Sequence, residues 1–137
     1  MPITYQAEEN IQLSSLLHLY NNANWTNYTS NPNSLEKAFR NSLYVCTARN
    51  EHSLLGLIRV VGDGHTIIYI QDILVHTDYQ RNKIGTTLLR MVLERYNLVR
   101  QIVLLTDYKI ETRKFYESMG FNSCDDGKLV SFIKINK

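Results

Sequence analysis

Cysteine, proline and glycine are all scarce in this 137-residue chain, and each shortage removes a class of protein. The two cysteines, Cys46 and Cys124, lie far apart and in no metal-ligand spacing. That argues against a disulfide framework and a zinc site, so no metal is expected and a reducing, cytoplasmic setting is. Two prolines and six glycines exclude a collagen-like or low-complexity chain, and 44% hydrophobic residues exclude a disordered one. No apolar run approaches the ~18 residues that span a bilayer, and the opening residues, MPITYQAEEN, lack the basic and apolar regions of a signal peptide. No membrane attachment is expected. Fifteen Lys+Arg against 13 Asp+Glu leave a net charge of +2, too small for a dedicated nucleic-acid binder, although a small anionic ligand is compatible with it. The length suits one domain with one core, residues 1–137.

The hydrophobic pattern changes period along the chain. A short strand is expected around residues 3–6. Leu13, Leu16, Leu17 and Tyr20 then recur at helical spacing and mark a helix. Residues 21–31 are rich in Asn, Thr and Ser and break it, forming a loop that carries two large aromatic groups, Trp25 and Tyr28. After Pro32, Asn33-Ser34-Leu35-Glu36 resembles a capping box opening a second helix. Residues 44–49, 54–61 and 66–75 are short β-rich segments, the last two separated by Gly62-Asp63-Gly64, so an antiparallel meander is expected. Ile84, Leu88, Val92 and Tyr96 form another helical ladder; residues 101–105 read as a strand, 110–119 as a helix stopped at Gly120, and 129–135 as a last strand. This order predicts an α/β fold with a central mixed sheet and helices on both faces.

Two stretches carry chemistry. In Gln80-Arg81-Asn82-Lys83-Ile84-Gly85-Thr86 a strand passes through a polar, basic turn into a helix. The unpaired N–H groups of a first helical turn attract anions, and Gly85 would let a phosphate approach the backbone. The second stretch is Phe115-Tyr116-Glu117-Ser118-Met119-Gly120-Phe121. Together they resemble the GNAT superfamily of N-acetyltransferases, whose acetyl-CoA motif reads Gln/Arg-x-x-Gly-x-Gly/Ala after a strand and whose later helix commonly ends Phe-Tyr-Glu-x-x-Gly-Phe. The second pattern is matched in full and the first at both ends, with Lys83 in place of its first glycine. The family often has Asn for a pantetheine contact where this chain has Lys109.

The resemblance implies a splayed sheet in which the backbone of Ile73, Leu74 and Val75 pairs with the pantetheine arm, the Leu74 N–H polarising the thioester carbonyl. It implies that residues 80–86 hold the pyrophosphate and that Tyr116 protonates the departing CoA thiolate; otherwise Tyr116 simply packs in the core. Acetyl would pass directly to an amine, with acetyl-CoA as cosubstrate. An alkylammonium must first lose a proton, and Asp72, on the strand ahead of Leu74, is the candidate base, its plainer role being to anchor a loop. Strand alternation lets only one of Asp72 and Gln71 face the cleft. Trp25 and Tyr28 would wall the acceptor pocket or else seal the core or a dimer contact. Arg59 would pair with an acceptor carboxylate if it points inward and is a solvated sheet residue if it points outward. The leading acceptor is a small primary amine: an amino acid, polyamine or amino sugar. The rivals are a protein or aminoacyl-tRNA amine and a CoA-binding module without turnover. A homodimer is compatible with the family resemblance.

Overall fold

The computed structural model describes residues 2–136 and divides after Leu105 into two compact units. The first unit contains a five-stranded sheet with its strands in sequence order: β1 (Thr4–Ala7), β2 (Tyr44–Asn50), β3 (Ser53–Gly62), β4 (Ile67–Val75) and β5 (Gln101–Leu104). β2, β3 and β4 form the expected antiparallel meander, β1 extends it by pairing antiparallel with β2, and β5 joins β4 in parallel, so the sheet is mixed.

β3 is buried continuously from Leu54 to Val60, as a central strand covered on both faces must be. On one face, α1 (Leu13–Asn22) and α3 (Pro32–Arg40) lay Leu16, Leu19, Tyr20, Leu35 and Phe39 against Val45, Leu54, Leu57 and Leu74. On the other, α4 (Ile84–Arg95) buries Ile84, Leu88, Leu89 and Val92. Gly56, adjacent to Leu57 and therefore facing the opposite way, looks directly at Ile84. Cys46 is buried in β2 with its thiol 3.8 Å from the sulfur of Met91.

Three local features differ from the sequence reading. Residues 21–31 are not all loop: Asn24 is left-handed (φ 61°), and α2 (Thr26–Thr29) forms a single turn. α3 begins at Pro32 rather than after it, because Asn31 is the cap, its side chain accepting from the Ser34 N–H at 3.3 Å, and Pro32 fills the first helical position, where no N–H is needed. Residues 128–136 carry no strand, and Leu129, Val130, Phe132, Ile133 and Ile135 are exposed. Their apolar positions do not alternate, and β-propensity supplies no ladder without a neighbouring strand.

The second unit holds α5 (Ile110–Ser118) and a short 3-10 turn at Cys124–Asp126. Arg113 ties them together, donating to Ser123 at 3.2 Å and Asp125 at 3.1 Å. α5 ends in a Schellman cap: Phe121 N–H bonds to Tyr116 C=O at 3.0 Å and Gly120 N–H to Glu117 C=O at 3.1 Å, with Gly120 at φ 94° and the Tyr116 and Phe121 rings edge to face.

The β3–β4 turn depends on Asp63, whose carboxylate accepts from the N–H groups of His65, Thr66 and Ile67 and from the Thr66 hydroxyl. Gly62 enters this turn at φ 134°, and a Cβ there would lie 2.6 Å from the Ile67 carbonyl oxygen. Gly62→Ala is expected to destabilise the protein by about 1–3 kcal/mol, measurable as a lower urea midpoint at unchanged slope.

Candidate active site

Burial alternates along β4: Ile68, Ile70, Asp72 and Leu74 are inside. One of these four is a carboxylate, only 1% exposed, and an ion buried this way is tolerable only with partners. Asp72 has three. Opposite it in the register, Arg59 on β3 donates Nε–H to Oδ2 at 2.7 Å, and the Tyr20 hydroxyl of α1 donates to the same oxygen at 2.9 Å. The Tyr28 hydroxyl of α2 donates to Oδ1 at 2.8 Å. The ladder shifts register between Arg59 and Val60, next to the ion pair. Arg59 also donates to Ser42 Oγ at 3.3 Å and lies 5.3 Å from the Phe39 ring centre.

Each partner responds to the cluster's charge. Burial and then the Asp72 carboxylate push the Tyr20 and Tyr28 phenols above their ordinary range. Burial works against the Arg59 charge, yet Asp72 outweighs it and holds the guanidinium protonated more firmly than usual.

Two members of the cluster, Asp72 and Tyr28, reach a cavity of about 360 Å³. Its walls come from the segment between α1 and α3: Asn24, Trp25, Thr26, Asn27 and Tyr28, with Gln71 and Asp72 from β4. The Trp25 and Tyr28 rings stack at 5.9 Å, and Trp25 N–H bonds to the Tyr20 carbonyl at 3.0 Å. The structure therefore brings Trp25, Tyr28 and Asp72 together. Gln71 and Asp72 both line the cavity, against the alternation argument. Asp72 does so from within, while the exposed Gln71 side chain bends to place Nε2 3.1 Å from the Tyr28 hydroxyl oxygen. Arg59 points inward, but the carboxylate it meets is the protein's own, so it is not free for an acceptor.

The other group of expected residues surrounds the end of β4. The parallel pairing with β5 stops at Ile70, whereas β4 continues through Ile73, Leu74 and Val75, paired only with β3. Here the sheet splays. A 3-10 turn (Thr77–Tyr79) then leads through Gln80, Arg81, Asn82 and Lys83 into α4. Gln80 donates to the Val75 carbonyl at 3.5 Å, and Asn82 to that of Tyr79 at 3.1 Å. Arg81 (φ 71°) and Lys83 (φ 60°) both adopt left-handed backbone, costing about 1–2 kcal/mol each. Thus Lys83 takes up a glycine-type conformation despite its side chain. Among the described residues no side chain caps α4, so the N–H groups of its first turn, at Ile84, Gly85 and Thr86, lack a cap. A Cβ on Gly85 would meet nothing within 4 Å. An uncapped helix start, open above a glycine and beside two exposed cations, fits a phosphate-bearing group.

Within the second unit, Tyr116 is buried, its ring edge to face with Phe115 and Phe121. Burial, reinforced by the Asp107 carboxylate, pushes its phenol up to about 12, so it is protonated at neutral pH. Tyr20 escaped the sequence reading because its position fits an apolar helix face. The available signal was chemical: a buried tyrosine needs a partner for its hydroxyl. Asn24, Thr26 and Asn27 lie in the expected loop, where only the aromatic Trp25 and Tyr28 stand out in the sequence.

A family model described as acetyltransferase (GNAT) domain matches residues 3–135, spanning both units. The comparison with curated proteins found no match. Among solved structures, the chain is similar to a GNAT family acetyltransferase from Streptococcus pneumoniae TIGR4, at 34% identity over 99% of both chains and a TM-score of 0.89. A probable acetyltransferase from meticillin-resistant Staphylococcus aureus follows at 25% identity, covering 96% of this chain and 100% of that one, with a TM-score of 0.75. An aminoglycoside acetyltransferase from an uncultured soil metagenomic sample, in complex with sisomicin, shares the fold at 19% identity, 98% and 97% coverage and a TM-score of 0.72.

Removing one member of the buried ion pair leaves an uncompensated charge. Arg59→Met is expected to lose about 3–5 kcal/mol in urea unfolding, and Arg59→Met combined with Asp72→Leu to recover part of that loss.

Proposed function

Because the chain belongs to the GNAT family of acetyltransferases and so uses acetyl-CoA, we propose that it transfers the acetyl group directly to a small primary amine held in the cavity that Trp25 and Tyr28 line. The observation carrying this reading is the cavity of about 360 Å³ lined by Trp25, Tyr28 and Asp72. It is sized for a small molecule, and its faces can shield an amine from water and attract it while it is cationic. The fold relative in complex with sisomicin supports an amine-bearing sugar as one member of the class.

In this reading the free edge of β4 at Ile73, Leu74 and Val75 receives the pantetheine arm, and the Leu74 N–H stabilises charge developing on the thioester oxygen. The α4 start takes the pyrophosphate: Gln80, Arg81, Asn82 and Lys83 form the approach, and the Ile84, Gly85 and Thr86 backbone provides the donors. Acetyl-CoA supplies an activated acyl group and a thiolate leaving group. Tyr116, still protonated at neutral pH, gives that thiolate a proton. On the acceptor side the nitrogen must shed a proton, and Asp72 is its destination. Direct transfer is also consistent with the cysteines: Cys46 is buried in the sheet with its thiol pushed up by burial, unlike an activated nucleophile.

Thiol release from acetyl-CoA across amino acids, polyamines, amino sugars and basic peptides tests the assignment. Release confined to one small-amine class is expected, and background release with all small amines overturns it. Tyr116→Phe should lower kcat at least about 100-fold with acetyl-CoA affinity unchanged, read by steady-state kinetics and calorimetry. Gly85→Leu should weaken acetyl-CoA binding at least about tenfold at an unchanged melting temperature, because its side chain enters space that is open in the folded chain.

A further inference from the structure

Asp72 is too deeply placed to meet an acceptor freely. It is 1% exposed; Oδ2 already receives Tyr20 and Arg59, and Oδ1 receives Tyr28. Tyr28, by contrast, is half-buried and lines the cavity. A phenol oxygen carries one proton and two lone pairs. The Tyr28 proton is committed to Asp72 Oδ1 at 2.8 Å, and one lone pair accepts from Gln71 Nε2 at 3.1 Å. The second lone pair is left for a donor in the cavity. Resting on the acceptor reading of this cavity, we propose that Tyr28 is a catalytic residue, taking the proton from the acceptor nitrogen while passing its own phenolic proton to Asp72 Oδ1.

The step starts from the neutral amine, the ammonium having given its first proton to solvent, and from there it balances without another reactant. As the amine attacks, the new C–N bond leaves nitrogen with an acidic N–H. That N–H bond breaks, an O–H bond forms on Tyr28, the original Tyr28 O–H breaks, and an O–H bond forms on Asp72. One proton moves from nitrogen to carboxylate, and Tyr28 begins and ends neutral. Phenolate is avoided throughout, as its position beside a carboxylate requires. Asp72 then returns the proton through Tyr28 to solvent as the amide leaves. Tyr20 and Arg59 act as positioning residues: both hold Oδ2, which turns Oδ1 toward Tyr28. Gln71 fixes the phenol from the other side, so its free lone pair keeps one direction.

Tyr28→Phe retains the stacked ring and removes only the hydroxyl. With the acceptor class found in the thiol-release panel, it is expected to lower kcat about 100-fold while the acceptor KM stays within about threefold. Asp72→Asn should show a similar loss, and Tyr28→Phe with Asp72→Asn should be no slower than the worse single variant, since the two act as one unit. A Tyr28→Phe enzyme keeping more than a third of wild-type kcat overturns the relay, as does a double loss equal to the product of the single losses. If Asp72→Asn does not fold, Tyr28→Phe decides alone. Wild-type enzyme without amine-dependent thiol release overturns the acceptor reading and the relay together. Trp25 is the chain's single tryptophan, so titrating its fluorescence with the panel amines distinguishes these failures: a response locates amine binding at the cavity, and its absence removes the acceptor site itself.

Discussion

The ion pair between Arg59 and Asp72 constrains everything around it. Two opposite charges in the middle of a sheet must each find several hydrogen-bonding partners at once, and here those partners come from separate elements: Tyr20 on α1, Tyr28 on α2 and Ser42 after α3. Burial of the pair is not a gain in itself, since an apolar substitute of the same shape would cost less to desolvate. What it supplies is position. One carboxylate oxygen is held twice and the other once, so the phenol that reaches the lightly held oxygen is fixed at the cavity wall.

The nucleotide end of the proposed site depends on a different kind of constraint. At the start of α4 the chain accepts two left-handed residues, Arg81 and Lys83, where glycine would be strain-free. Both carry positive charge. Backbone strain and cationic side chains thus coincide on one turn that opens an uncapped helix, in keeping with a loop shaped by what it binds rather than by its own stability.

Much of this is legible in the sequence. The three meander strands, α4 and α5 follow from hydrophobic period and turn residues. The Phe-Tyr-Glu-x-x-Gly-Phe pattern is in part physical: its tyrosine and final phenylalanine make the contact of a Schellman cap and its glycine takes the left-handed position. Periodicity failed where long-range partners decide. Residues 129–135 are rich in strand-forming side chains yet form no strand, because propensity does not create a neighbour. Gln71 and Asp72 were treated as exclusive because backbone alternation fixes where a side chain starts, not where a long amide ends. For Arg59 the sequence offers an acceptor carboxylate or solvent as partner, and the fold supplies neither: its counter-ion is the internal Asp72.

The wall of the cavity proposed for the acceptor is assembled from a short, continuous stretch of chain. Asn24 to Tyr28 hang between α1 and α3, while the charged cluster beneath them belongs mostly to the sheet and α1. Substitutions at Asn24, Thr26 and Asn27, all exposed, leave the buried core side chains in place. If the cavity takes the acceptor as proposed, selectivity can therefore drift quickly by changes within five residues, on a scaffold whose stability is set elsewhere.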